Sequence, residues 1–221
     1  MNVAFLGDSI TFGYGLGDPE ACYTKVLCRE NGWVEENYGI CGTLMAKAGM
    51  NTDDTRSYVD RLPLIFGADY AVVFGGTNDY FWSDHPIEPK EGEGGVAYFR
   101  DAVTNICTRI NEARRPGTTL IVTPYPHNGV GNFLGGATHN DSSRHDTDQV
   151  NYNGHILADY VRVLKQVSAK HRIACLDLHE DFGFEWHIHT SDGCHPNEGG
   201  HRLLASVIGR SLRELMAAAA K

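Results

Sequence analysis

The chain has 221 residues, 42% of them hydrophobic, which is enough to bury the greater part of its surface in one core. Its formal net charge is −9 and its longest basic run is Arg114-Arg115, so neither a nucleic-acid partner nor an anionic membrane surface is expected, because both need clustered Lys and Arg. No stretch approaches the roughly 18 apolar residues of a membrane span.

The first residues, MNVAFLGDSI, show no basic region, long apolar region or small-residue cleavage site of a secretory signal, and a cytoplasmic location is the expectation. Cys22, Cys28, Cys41, Cys107, Cys175 and Cys194 then read as reduced thiols, and their spacings do not fit the C-x2-C zinc pattern. No metal and no cofactor are expected.

In chain order, short apolar β-rich runs alternate with segments of helical period. The strand candidates are Asn2 to Leu6, Trp33 to Tyr38, Tyr70 to Phe74, Thr119 to Thr123 and Ile173 to Leu178. Helices are predicted where Val96, Phe99, Val103, Ile106 and Ile110 recur at steps of three and four, and again at Ile156, Tyr160, Leu164 and Val167. A last helix, from about Asn197 to Met216, puts Leu204, Ile208 and Leu212 on one face, with Asn197 as its cap. Repeated strand, helix, strand implies a parallel sheet covered by helices on both faces. His85 to Gly95 and His127 to Asn153 depart from this pattern. Both are rich in turn residues, and long loops of this kind commonly line a site.

In parallel α/β sheets, ligands bind at the carboxyl ends of the strands. Gly7-Asp8-Ser9 follows the first strand, Gly39-Ile40-Cys41-Gly42 the second, and Gly75-Gly76-Thr77-Asn78-Asp79 the third. Pro124-Tyr125-Pro126-His127 follows the fourth, and the fifth leads on to Ser191-Asp192-Gly193-Cys194-His195-Pro196. One sheet edge would thus gather a hydroxyl, glycine-exposed backbone, a carboxamide, a carboxylate and an imidazole. Acyl transfer needs this set: a serine activated by a base, a carboxylate to orient that base, and donors aimed at the oxyanion.

Gly7-Asp8-Ser9, Gly42, Gly76-Thr77-Asn78-Asp79 and Asp192-Gly193-Cys194-His195 occur in the order of the four sequence blocks of the SGNH, or GDSL, hydrolases, and the chain resembles that family from residue 7 to residue 195. The resemblance implies a flavodoxin-like three-layer α/β/α sandwich around a five-stranded parallel sheet, forming a single catalytic domain over residues 1–221. It implies Ser9 as nucleophile, His195 as general base oriented by Asp192, and an oxyanion hole of the Ser9 N–H, the Gly42 N–H and the Asn78 side-chain amide. Gly39 is the alternative to Gly42 in the second loop. Asp8 and Asp79 are read as structural, holding loops through backbone N–H groups.

The expected function is hydrolysis of a small-molecule carboxylic ester through an acyl-serine. The loop from His127 is polar apart from Val130, Phe133 and Leu134, which favours a short acyl group such as acetyl on a polar alcohol such as a sugar. A lysophospholipase or thioesterase on longer chains, and a non-catalytic carbohydrate-binding protein of the same fold, are the alternatives. Tyr80, Phe81 and Trp82 offer an aromatic platform for a sugar ring. Gly13, Gly15 and Gly17 lack the pattern of a phosphate loop and read as a flexible segment beside Ser9. His187 and His189, on a segment read as extended, and His127, His139 and His145 read as solvated rather than metal-binding.

Overall fold

The computed structural model describes residues 1–49, 56–127, 150–180 and 182–219. Its strands are β1 (Asn2–Gly7), β2 (Val34–Gly39), β3 (Tyr70–Phe74), β4 (Thr119–Val122) and β5 (Ala174–Leu176). They form a five-stranded parallel sheet in the order β2-β1-β3-β4-β5. The described helices are α1 (Ser9–Phe12), α2 (Tyr23–Asn31), α3 (Tyr58–Arg61), α4 (Thr77–Trp82), α5 (Phe99–Ala113), α6 (Leu157–His171), α7 (Trp186–His189) and α8 (Glu198–Ala219).

The period-2 geometry of a strand sorts each apolar run between two cores. Ala4 and Leu6 of β1, Ala71 and Val73 of β3 and Ile121 of β4 face α3, α5 and α6. Their neighbours Val3, Phe5, Val72, Phe74, Leu120 and Val122 face α2 and α8. Burial on both faces is why these strands read as continuous apolar runs, each large side chain contributing about 2 kcal/mol when removed from water. β2 lies at one edge and carries Glu35 and Glu36 only partly buried and Asn37 exposed, a polar edge that discourages pairing with another chain.

The helix boundaries follow local chemistry. α5 starts at Phe99, after the left-handed Gly95, and presents Phe99, Val103, Ile106 and Ile110 to the core. Asn197 caps α8, its Oδ1 accepting the Gly200 N–H at 3.1 Å.

This order places a switch point between β1 and β3, where connections leave to opposite faces of the sheet. Gly7 is in register with Gly39 on one side and with Phe74 on the other, so β1, β2 and β3 end level with one another. The loops that follow them therefore depart side by side, at the usual strand spacing of about 4.8 Å. No helix among the described residues is long and apolar enough to cross a membrane.

Candidate active site

Ser9 is the first residue of α1, and the Asp8 carboxylate before it caps that turn by accepting the Ile10 N–H at 3.0 Å. The Gly-Asp-Ser stretch thus runs into a short capped helix that points the serine side chain off the end of β1. Ser9 Oγ lies 2.9 Å from His195 Nε2, and His195 Nδ1 lies 2.7 Å from Asp192 Oδ2. Burial would raise the Asp192 pKa, but the bond from the His195 ring and those from the His195 and Cys194 N–H groups outweigh it and lower it. An ionised Asp192 accepts, so Nδ1 carries the imidazole proton and the Nε2 lone pair faces the Ser9 hydroxyl.

The segment holding Asp192 and His195 is a closed loop. Thr190 and Pro196 form an antiparallel bridge, and the Ser191 N–H donates to the His195 carbonyl at 2.9 Å. From the segment after β4, the buried Tyr125 hydroxyl donates to the Cys194 carbonyl at 2.7 Å and ties this loop to the sheet. Tyr125 was legible in the sequence only as a residue following a strand; nothing in PYPH points to the Cys194 carbonyl.

The donors implied for the oxyanion come from the two adjacent loops. Ile40 to Thr43 make a turn, with the Thr43 N–H directed to the Ile40 carbonyl at 3.4 Å and Gly42 at φ +74°, a left-handed position that suits glycine. Among the described residues nothing accepts the Gly42 N–H, whereas the Gly39 N–H is taken by Asn37 Oδ1 at 2.8 Å. Gly39 serves packing instead: a Cβ there would stand 2.3 Å from the Phe12 nitrogen of α1. Asn78 Nδ2 donates to the Thr43 carbonyl at 3.1 Å, which orients the amide and leaves its second N–H.

Buried polar groups lock these loops together. Asp79 accepts the Met45 and Ala46 N–H groups at 2.9 Å each, and burial pushes its pKa up to about 7 against those bonds. Asp8 is likewise pushed up to about 6 by burial, opposed by the Ile10 N–H and by the charges of His195 and Arg61. Arg61, which the sequence reading passed over, donates to the carbonyls of Tyr38 and Gly7, the latter at 3.1 Å, and to Thr43 Oγ1 at 2.8 Å. A single guanidinium thereby joins the ends of β1 and β2 to the Gly42 turn. Its one sequence signal is an arginine next to the apolar run Leu62-Pro63-Leu64-Ile65-Phe66.

Several expectations need correction. Tyr80 is 4% exposed and packs on Tyr160 in the core, so its ring is no platform; Phe81 and Trp82 are partly buried beside it. His127 is fully buried, not solvated: its ring packs 5.2 Å from Phe81, and among the described residues both ring nitrogens lack a partner. Burial pushes its pKa down to about 3, so it is neutral at physiological pH. His187 and His189 lie on α7 rather than on an extended segment. His187 pairs with Glu185 at 3.3 Å and His189 Nδ1 accepts the Glu185 N–H at 2.9 Å. His139, His145 and most of the His127 to Asn153 loop lie outside the described residues. Among the described residues no group of three or more His, Cys, Asp or Glu is placed to hold a metal ion, and all six cysteines are free.

Comparison with known proteins bears on this geometry. Residues 5–203 match the GDSL-like Lipase/Acylhydrolase family. Among solved structures, a protein from Lactobacillus plantarum is 26% identical with a TM-score of 0.76, covering 96% of both chains. The lipase/acylhydrolase from Enterococcus faecalis is 21% identical with a TM-score of 0.63, over 97% of this chain and 96% of that one, a likeness of fold. A two-domain esterase active on acetylated mannans, crystallised with mannopentaose, is 20% identical with a TM-score of 0.60, over 97% of this chain and 49% of that one. No curated protein matches the chain at a significant level.

Proposed function

The chain belongs to the GDSL-like lipase/acylhydrolase family, and from that premise we propose that it is a serine esterase working through an acyl-serine intermediate. The observation that carries the reading is the unbroken hydrogen-bonded line from Ser9 Oγ through His195 to Asp192.

In this mechanism His195 Nε2 takes the Ser9 proton as Oγ attacks the ester carbonyl carbon. The oxyanion that forms is met by the Ser9 and Gly42 N–H groups and the free Asn78 amide proton, each donor typically worth about 100- to 1000-fold in rate. Collapse breaks the bond to the alcohol oxygen, which leaves with the proton from His195. Water then enters; His195 takes a proton from it, the hydroxide attacks the acyl carbon, and the carboxylic acid departs as Ser9 recovers its proton. The sum is ester plus water to acid plus alcohol. Asp192 stays ionised throughout and stabilises the imidazolium.

The preferred substrate is a short-chain ester, acetyl in the first place, of a polar alcohol such as a sugar. The polar composition of residues 127–149 supports this, and a structural relative acts on acetylated mannans. The test is a panel of one alcohol esterified with acetyl, butyryl and octanoyl groups, with acetylated sugars alongside. Rates falling from acetyl to octanoyl are expected. Rates rising with chain length would transfer the assignment to a lysophospholipase or thioesterase, and no turnover of any ester would leave the carbohydrate-binding alternative.

A further inference from the structure

The segment Gly13-Tyr14-Gly15, which has no part in the mechanism above, is bound to both reacting groups. Gly13 and Gly15 are both at φ +84° and hold a left-handed turn directly after α1. The N–H groups of Gly13 and Tyr14 both donate to the carbonyl of Ser9, at 3.0 and 2.9 Å. The Tyr14 ring then lies against the imidazole of His195, centroid to centroid 4.6 Å at an interplanar angle of 54°. Despite this contact the residue is 51% exposed, and no described residue bonds its hydroxyl. An aromatic ring tied to the nucleophile by its backbone and to the base by its face, yet half in water, has a free surface at the reaction centre.

The two halves of an ester occupy different sides of such a centre. The carbonyl oxygen must turn toward the loops after β2 and β3, which carry Gly42 and Asn78. The alcohol oxygen must come within about 3 Å of His195 Nε2, because that nitrogen delivers the proton it leaves with. Whatever is bonded to the alcohol oxygen therefore lies beside the imidazole, where Tyr14 is. Resting on the esterase reading above, we infer that Tyr14 is the binding surface for the leaving alcohol, and that it favours a ring-bearing polar alcohol. The apolar face of a sugar ring stacks on the exposed side of the phenol, and a sugar hydroxyl takes its O–H. This places the aromatic platform on the first loop, not on Phe81 and Trp82 after β3.

Tyr14 so placed reads the alcohol and is blind to the acyl chain, which separates it from a residue that only props His195. The experiment compares wild type, Tyr14→Ala and Tyr14→Phe on methyl 6-O-acetylglucopyranoside and ethyl acetate, and separately on p-nitrophenyl acetate and butyrate. Wild type should prefer the sugar ester. Tyr14→Ala should lose about tenfold more in kcat/KM on the sugar ester than on ethyl acetate, chiefly through KM, as expected for one aromatic contact. Tyr14→Phe should recover most of that loss, and the acetate to butyrate ratio should stay at the wild-type value in both variants. An equal loss on the two alcohols, a shifted acetate to butyrate ratio, or no wild-type preference for the sugar ester would each overturn the inference. Failure of wild type to turn over any of the four esters would instead defeat the esterase reading itself.

Discussion

Asp192 holds one histidine at two points: its Oδ2 meets the His195 ring Nδ1 at 2.7 Å while its Oδ1 accepts the backbone N–H of that same residue at 2.7 Å. Main chain and side chain of His195 are thus referenced to a single carboxylate, and the imidazole cannot swing without breaking its bond to Asp192. Asp192→Asn can keep the backbone bond but presents an amide N–H to Nδ1, which favours the wrong tautomer. We expect kcat to fall by roughly 10⁴-fold with the thermal midpoint near that of wild type. A loss of less than tenfold on an acetyl ester would show that Asp192 does not orient the base.

The two glycines of the second loop should part company under the same substitution. Gly39→Ala drives a methyl group to 2.3 Å from the backbone of α1, where neither side can yield, and the variant is expected to be strongly destabilised. Gly42→Ala meets open space and bears only the cost of a left-handed alanine, about 1 kcal/mol, so it should fold. Its kcat should nevertheless drop if the methyl group crowds the carbonyl site, and Asn78→Ala should lower kcat by about 100- to 1000-fold. Urea midpoints and acetyl-ester kinetics on the three variants check this. A folded Gly39→Ala beside an unfolded Gly42→Ala would invert the roles given to the two residues.

Arg61→Met keeps much of the volume but removes the guanidinium bonds to the Tyr38 carbonyl, the Gly7 carbonyl and Thr43 Oγ1, leaving Gly7 only the Ile40 N–H at 3.1 Å. Losing three bonds made by one buried charged group makes a loss of about 3 kcal/mol the expectation, read from the denaturant midpoint. Near-wild-type stability would mean that the ends of β1 and β2 hold together without the guanidinium.

Stability between pH 4 and 6 reflects four buried groups of opposing sign. Asp8 and Asp79 have folded pKa values of about 6 and 7 against a usual 3.8, so the stability they lend is full below 3.8 and is lost as pH rises through the folded values. Burial lowers His127 to about 3 and His201 to about 4 from 6.5, so the folded state loses stability as pH falls from 6.5 toward those values. Across the window the folded chain holds two carboxyl protons that the unfolded chain lacks, and the unfolded chain holds two imidazolium protons that the folded one lacks. The contributions of these groups cancel. His127→Leu removes one imidazole whose nitrogens have no partner among the described residues, and its stability relative to wild type should improve by about 2 kcal/mol on going from pH 6 to pH 4.5. Parallel curves for the two proteins would contradict the burial of a neutral His127.

What was legible in the sequence was whatever depends on periodicity or on a spacing along the chain. The β1, β3 and β4 runs were visible because both faces of the sheet are covered, and α5, α6 and α8 because each keeps one apolar stripe. Ser9, Asp192 and His195 were legible as residues at strand ends, and the structure brings them within hydrogen-bond reach of one another. The contacts between distant segments were not legible. Arg61 looks like any arginine until its acceptors on two strands are known. Tyr80 looked available because it follows Asn78-Asp79, yet the turn of α4 directs its ring to Tyr160. His127 sits in a polar loop sequence, and only the fold shows that Phe81 and Tyr125 enclose it.

The central claim is that the Ser9 hydroxyl is the nucleophile, and the most direct measurement is peptide mapping after exposure of the folded protein to a fluorophosphonate. One adduct per chain on Ser9, with none in Ser9→Ala, is the result predicted. An unlabelled wild type, or an adduct on another residue with Ser9→Ala still turning over acetyl esters at the wild-type rate, would contradict it.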